Sequence, residues 1–324
     1  MIKYTFVASA YELKVSHQMN KGTKLFQDIR ISNNKEKISE LFHPQFFDAI
    51  GTMEYNQILS GAYYYAEGEV EDSNIFDDDN AGLEYLDFFM ERIQFLNNLL
   101  WLLKDNSINT EQGYLQLECS KGTKFHSNGR SGSFYNSKGE REKVEFSIEE
   151  LKTPEIILGD LFEEVTPNIP TVNVYETNRI ERAFYLLQAA RAQNYLPERI
   201  SIFTTLLETL LSTSNSEVTH KLRERISWLL GKDFDEREKL FDDMGVIYSI
   251  RSTHVHSSTV PKSAKNEEKL FVYSNKLEGY VRQILIKILT EDKMASYYKK
   301  NEKGKYDDSE LEKFLKNICL GKPQ

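Results

Sequence analysis

From Lys3 to Lys14 apolar and polar positions alternate, with Tyr4, Phe6, Val7 and Tyr11 supplying β-forming side chains. Lys24 to Ile31 continues in that style, and Ile58 to Val70, with Tyr63-Tyr64-Tyr65 inside it, has the composition of another strand. The acidic stretch from Glu69 to Asn80 breaks this pattern and is expected to be a loop. Between Leu83 and Leu103 the period changes. Leu86, Phe89, Ile93, Leu96, Leu100 and Leu103 recur at intervals of three and four, with further apolar residues beside them, which predicts a largely buried helix. Tyr114–Glu118 and Lys143–Phe146 resemble strands flanking a Gly/Ser-rich hairpin from Lys121 to Gly139.

Thr166-Pro167-Asn168-Ile169-Pro170 is the expected linker, because proline there blocks either regular element. Beyond it the pattern is helical. Asn178–Gln193 puts Ile180, Phe184, Leu187 and Ala190 on one face, and Glu198–Leu211 repeats this with Ile202, Leu206, Leu207, Leu210 and Leu211. Glu217–Leu230 follows. Asp233 with Glu236 three residues later is a capping-box pattern that opens a helix through Leu240, Met244 and Ile247 towards Arg251. A last core helix spans Glu268–Leu289, and a short one Ser309–Ile318. The fold class expected is therefore an α+β N-terminal domain over 1–165, an all-α bundle over 171–292, and a lysine-rich tail over 293–324 with a short helix.

Composition adds limits. The chain has 324 residues, 40% of them hydrophobic, enough for two cores. No apolar run reaches the roughly 20 residues that a membrane span needs, and Met1–Phe6 lacks the features of a secretion signal. Cys119 and Cys319 are far apart and lack metal-ligand spacing, which suits free thiols in a reducing cytoplasm. The net charge is −9, but unevenly spread. Residues 1–174 hold 16 Lys and Arg against 28 Asp and Glu, residues 175–292 hold 17 of each, and residues 293–324 hold 8 against 5. An acidic chain grips phosphate backbones poorly, so any nucleic acid must meet a local cleft in the C-terminal half.

The segment richest in chemistry is Ile247-Tyr248-Ser249-Ile250-Arg251-Ser252-Thr253-His254-Val255-His256-Ser257-Ser258, expected where a helix gives way to a Ser/Thr-rich loop. A guanidinium holds two phosphate oxygens in a fixed fork, and an imidazole trades protons near neutral pH. Together they suit metal-free chemistry on a phosphodiester. On an unbroken helix Arg251 and His256 stand about 140° apart, so they converge only if the helix loosens near Val255 or a second subunit supplies one of them. Arg251 and His254 share a face directly. The plainer alternative is an arginine capping its own helix, with both histidines bound to local carbonyls.

Three pieces then align with one family. Phe203-Thr204-Thr205-Leu206-Leu207-Glu208-Thr209-Leu210-Leu211, the helix Val218–Leu230 with Leu222, Arg223, Arg225 and Leu229-Leu230, and Tyr248-x-x-Arg251-four residues-His256 occur in order. The stretch 200–257, within a domain of about residues 175–292, resembles the HEPN superfamily and specifically its ApeA-like branch. The resemblance implies a metal-independent endoribonuclease whose Arg/His motifs meet across a homodimer of the helical bundle. It implies no cofactor and no metal. By position, Arg251 would contact the scissile phosphate and His256 would act as general acid or base, with Ser252 and Glu208 in support; His254 falls at a variable family position and is a supporting candidate by its spacing from Arg251. Ser252 departs from the Asn, Asp or His often found there, and Ser257 from the usual glycine. The implied setting is antiviral defence by abortive infection, or a toxin role, in the cytoplasm. Host or phage RNA, tRNA among the candidates, would be the substrate, and the first domain would sense a phage or cellular trigger. A second reading keeps the bundle as a non-catalytic dimerisation module that binds RNA or a nucleotide.

Other clusters carry less. Asp77-Asp78-Asp79 lacks the alternation of a calcium loop and reads as a solvated acidic turn. Lys121-Gly122-Thr123 and Gly129-Arg130-Ser131-Gly132-Ser133 lack the context of a phosphate loop and read as a hairpin tip, with Arg130 as a minor candidate for substrate contact. His43 and His126 have no partners at metal spacing, and Lys299–Lys305 reads as a solvated tail or an RNA contact.

Overall fold

The computed structural model describes residues 1–26, 28–130, 132–158, 178–214, 216–256, 266–300 and 306–322, with side chains described to 154 in the third stretch and to 255 in the fifth. The expected linker at Thr166–Pro170, the Ser/Thr cluster with Ser257 and Pro261, Ser131 and positions 301–305 of the lysine cluster lie outside the described residues. The chain divides into two compact units. Unit 1 holds 1–134 and 141–156; unit 2 holds 135–140 and 157–324. The first is α+β and the second all-helical, as the pattern predicts.

Unit 1 is built on β1 (Ile2–Ala10), β2 (Leu13–Val15), β3 (Thr23–Phe26), β4 (Ile29–Ser32), β5 (Ala62–Val70), β6 (Gln112–Cys119), β7 (Gly122–Gly129) and β8 (Val144–Phe146). Six of them form one antiparallel sheet in the order β3-β4-β5-β1-β6-β7, while β2 and β8 pair in parallel. The helices are α1 (Lys35–Leu41), α2 (Phe46–Ile50), α3 (Thr52–Leu59), α4 (Asn74–Asp77), α5 (Asp79–Leu103) and α6 (Ile148–Leu158), the last running just past the boundary of the unit.

The tyrosine triplet shows why the middle of the central strands is buried on both faces. Side chains alternate across a sheet. Tyr64 points to α5, where its hydroxyl donates to Asn97 Oδ1 at 2.8 Å. Tyr63 and Tyr65 face the other way, into a cluster with Ile38, Phe42, Phe46 and Ile58 from α1–α3. Phe6 of β1 stacks on Phe89 of α5 at 5.0 Å, while its neighbour Val7 joins the opposite cluster. With both faces covered, such strands lose their polar positions.

Several local readings need correction. Lys24–Ile31 is a tight hairpin of two strands, β3 and β4, rather than one run. Ile58 and Leu59 end α3, so β5 starts at Ala62. The acidic stretch contains α4 and the start of α5. Its aspartates are engaged: Asp77 pairs with Lys121, Asp79 with Lys124, and Asp78 caps α5 by accepting from Asn80 N. The Gly/Ser-rich segment contributes β7, whose turn lies at Ser120-Lys121. Val144–Phe146 pairs with β2 instead of returning along it. Arg130 lies against Asp87 and Glu91, at 3.8 and 3.5 Å.

Unit 2 comprises α7 (Arg179–Arg191), α8 (Leu196–Leu211), α9 (Val218–Leu230), α10 (Phe234–His256), α11 (Glu267–Thr290), α12 (Asp292–Ser296) and α13 (Asp308–Cys319). The central helix is α8, which packs on α7, α9, α10 and α11. Its Ile200, Phe203, Leu206, Leu207, Leu210 and Leu211 are fully buried. Thr204, Thr205 and Thr209 satisfy their hydroxyls on the carbonyls four residues back, so a threonine-rich helix can be buried. Asn178 forms a complete capping box with Glu181 at the start of α7. At α10, Asp233 Oδ1 accepts from Glu236 N, but the Glu236 carboxylate reaches Lys232 N, one residue before the expected atom.

Inside unit 2, Arg199 and Glu278 form an ion pair with no solvent exposure, at 2.7 Å. Arg199 also donates to the carbonyls of Ala190, Arg191 and Gln193 at the end of α7 and to Tyr135 O. The C-terminal helix is docked rather than loose. Leu311, Leu315 and Ile318 are buried, Asp308 is held by Arg179, and Glu312 by Arg225 and Thr213.

Candidate active site

The candidate site lies on α10 where it crosses α8. Leu240, Met244, Ile247 and Ile250 make the buried stripe of α10. Arg251 follows Ile247 by four residues and His254 follows Ile250 by four, so both flank that stripe beside α8. They stand about 60° from each other around the axis.

Arg251 is fixed from two sides. Its Nη2 lies 3.0 Å from Glu208 Oε2 on α8, and its Nη1 donates to the Tyr248 hydroxyl at 3.1 Å. The guanidinium also lies over the Tyr248 ring, 5.2 Å from its centre. The pair is partly open, with 24% of the Arg251 side chain and 16% of Glu208 exposed. Arg251 Nε and Glu208 Oε1 are nonetheless buried atoms with no partner among the described residues. A guanidinium and a carboxylate each with spare capacity can accommodate a further polar group, whether a water or part of a ligand.

His254 meets α8 one helical stretch away. Its Nε2 is 2.5 Å from Glu198 Oε2, and its ring packs edge-on against Tyr195 at 5.8 Å. The sequence motif missed Glu198 because it lies 56 residues from His254 and no local spacing joins them. Tyr248 was legible, since it precedes Arg251 by three and so shares its face.

The remaining expected residues fall differently. Ser252 is exposed and, among the described residues, makes no hydrogen bond to Arg251, Glu208 or His254. The backbone of α10 continues as helix to His256, whose side chain lies outside the described residues. The helix therefore does not loosen at Val255, and within one chain the Arg251 and His256 positions remain about 140° apart. Among the described residues Arg251 donates to Glu208 and Tyr248, with no bond to a backbone carbonyl of its own helix.

Neither a metal centre nor a membrane-crossing helix is present among the described residues. Both cysteines are free. A cavity of about 370 Å³ in unit 2, lined by Asn178, Glu181, Tyr298, Lys299 and Tyr306 among others, shares no residue with the Arg251 cluster. The two units thus define an α+β module followed by an all-helical one that carries an Arg–Glu–Tyr cluster beside a His–Glu pair. No protein-family model matches the chain, and neither curated proteins nor solved structures give a match.

Proposed function

We propose that the helical unit is a metal-independent endoribonuclease that cleaves RNA by 2′-hydroxyl attack, acting as a homodimer in phage defence or as a toxin. The observation that carries the reading is the Arg251 cluster. A guanidinium fixed by Glu208 and Tyr248 keeps a buried Nε with no partner among the described residues, three positions before His254 on the same helix. Such a fork suits the charge that builds on phosphorus during in-line attack. The likeness of residues 200–257 to the ApeA-like HEPN branch supports the same reading and assigns His256 to proton transfer. Because α10 stays helical to His256, that role requires a second subunit to bring His256 opposite Arg251. The first unit would sense the trigger.

The test is cleavage of RNA by purified protein in EDTA. The expected products carry 2′,3′-cyclic phosphate and 5′-hydroxyl ends, and both Arg251→Ala and His256→Ala abolish them. Cleavage that survives in both variants refutes the reading, as does intact RNA with wild type under every trigger tried. Light scattering should give a mass twice that of the chain.

One observation favours a second reading. Arg251 is already neutralised by Glu208 in a chain of net charge −9, which suits a non-catalytic module that dimerises and binds RNA or a nucleotide. Overexpression separates the two. A nuclease arrests growth and is relieved by His256→Ala, whereas a binding module is indifferent to that change.

A further inference from the structure

Cleavage by 2′-hydroxyl attack moves two protons. One leaves the 2′-oxygen as the O2′–P bond forms, and one reaches the 5′-oxygen as the P–O5′ bond breaks. Arg251 cannot serve for either, because a guanidinium stays charged in proteins. One copy of His256 fills one role in a given site, and the other falls to the second His256 of the homodimer or to a further group.

We infer that His254 is the second proton-transfer group of the Arg251 site and that Glu198 is its positioning residue; the inference rests on the ribonuclease reading above. The geometry comes from α8 and α10 alone. Glu198 Oε2 lies 2.5 Å from His254 Nε2 and, among the described residues, Glu198 meets no other partner. An ionised carboxylate only accepts, so the ring proton resides on Nε2. The atom left to take or yield a proton is then Nδ1. A third group that fixes the tautomer and orientation of a catalytic imidazole is a recurring device. The Tyr195 ring, edge-on to the imidazole, restricts its rotation further. A quarter of the His254 side chain is open to solvent. Arg251, three residues earlier, lies on the same side of α10, with its guanidinium held by Glu208, ten residues along α8 from Glu198.

In the balanced step, one neutral imidazole takes the 2′-proton and the other, protonated, gives a proton to the departing 5′-oxygen. No metal or co-reactant is required. The products are the 2′,3′-cyclic phosphate and a free 5′-hydroxyl.

The experiment uses full-length protein labelled with ¹⁵N at histidine, with His254 assigned from the spectrum of His254→Gln. Long-range ¹H–¹⁵N spectra report which ring nitrogen carries the proton, and single-turnover cleavage of an oligoribonucleotide in EDTA reports the rate. Wild type should show His254 in the Nε2–H form. Glu198→Ala should convert it to a mixture and slow cleavage at least about 10-fold. Glu198→Gln, whose amide oxygen still accepts, should restore the tautomer and most of the rate. His254→Gln should slow cleavage about 10²- to 10⁴-fold, the range typical of general acid–base catalysis, with an unchanged melting temperature. Wild-type rates in His254→Gln, or a ring spectrum indifferent to Glu198→Ala, overturn the inference while leaving the ribonuclease reading intact. RNA that wild type leaves whole, with a tautomer that still responds to Glu198→Ala, refutes the ribonuclease reading and the proton-transfer role together and leaves only the contact.

Discussion

Replacing Glu278 by glutamine removes one charge from the fully buried ion pair of the helical unit and turns one of its two acceptors into a donor. The Arg199 guanidinium uses every donor. Nε and Nη2 contact the two Glu278 oxygens at 2.7 and 3.0 Å, Nη2 also reaches Tyr135 O at 3.0 Å, and Nη1 is shared among the Ala190, Arg191 and Gln193 carbonyls at 3.1 Å each. Neither side chain of the pair is exposed. Removing one partner of a buried pair strands the other charge and costs about 3–5 kcal/mol. The lower end applies here, because the amide retains one acceptor and the carbonyls at the end of α7 still face the cation. Urea unfolding changes free energy by about 1–3 kcal/mol per molar, so a loss near 3 kcal/mol lowers the midpoint by about 1–3 M. The chain has two tryptophans, Trp101 on α5 and Trp228 on α9. In a Trp101→Phe background, fluorescence therefore reports unit 2 alone. Adding Arg199→Met to Glu278→Gln should cost little beyond Arg199→Met alone, because the stranded charge has gone. A midpoint shift under about 0.3 M, or single effects that simply add, would show that the two charges do not depend on each other.

Acid should loosen α13 before the rest of unit 2. Hydrogen bonds from Arg179 hold the Asp308 carboxyl below its ordinary range, and although burial pushes Glu312 up, bonds from Thr213 and Arg225 bring it below too. Depressed folded values stabilise fully above the ordinary carboxylate range near pH 4 and lose that stabilisation as pH falls through them. Leu311 and Leu315 methyl resonances should therefore shift first on acidification, and Asp308→Asn with Glu312→Gln should reduce that pH dependence to the part held by Asp307, whose carboxyl caps α13 and is also lowered by its bonds from Ser309 and Glu310. Gly139 has φ +77° and a Cβ there would lie 2.3 Å from Asn194 O; Gly139→Ala should lower the unit 2 melting temperature by more than about 2 °C, given at least 1–2 kcal/mol for the backbone alone. Burial lowers the His126 pKa, so unit 1 should be fully stabilised above the ordinary imidazole range near 6.5 and weaken as pH falls through it towards the folded value. Urea midpoints at pH 7.5 and 5.5 check this, and His126→Gln should flatten the difference.

What the sequence revealed depended on the range of the interaction that decides each feature. Helix period and caps are local, which is why α5 and α7–α11 were readable within a few residues of their ends. The α1–α3 segment was not: each helix is too short to show a clear period, and its burial comes from packing on Val7, Tyr63 and Tyr65 of the sheet. The segment 135–140 escaped notice for the same reason. It lies within the N-terminal stretch of sequence, but its membership of unit 2 is fixed by Tyr135 N donating to Arg191 O, Arg199 reaching Tyr135 O, and Asn275 reaching Ser137 Oγ.

The candidate site divides along the same line. Arg251, Tyr248 and His254 lie within seven positions on one helix, so spacing alone gives their shared side. The two carboxylates that fix them, Glu208 and Glu198, lie on α8, and one helix crossing another sets those pairings. Glu208 was found through a likeness of segments and Glu198 was not found at all, although the two make the same kind of contact. A motif marks the groups that resemble those of other sites, while partners supplied by packing stay hidden until helices are placed. If proton transfer at this site depends on Glu198, the residue that sets the chemistry is one that no local pattern could have marked.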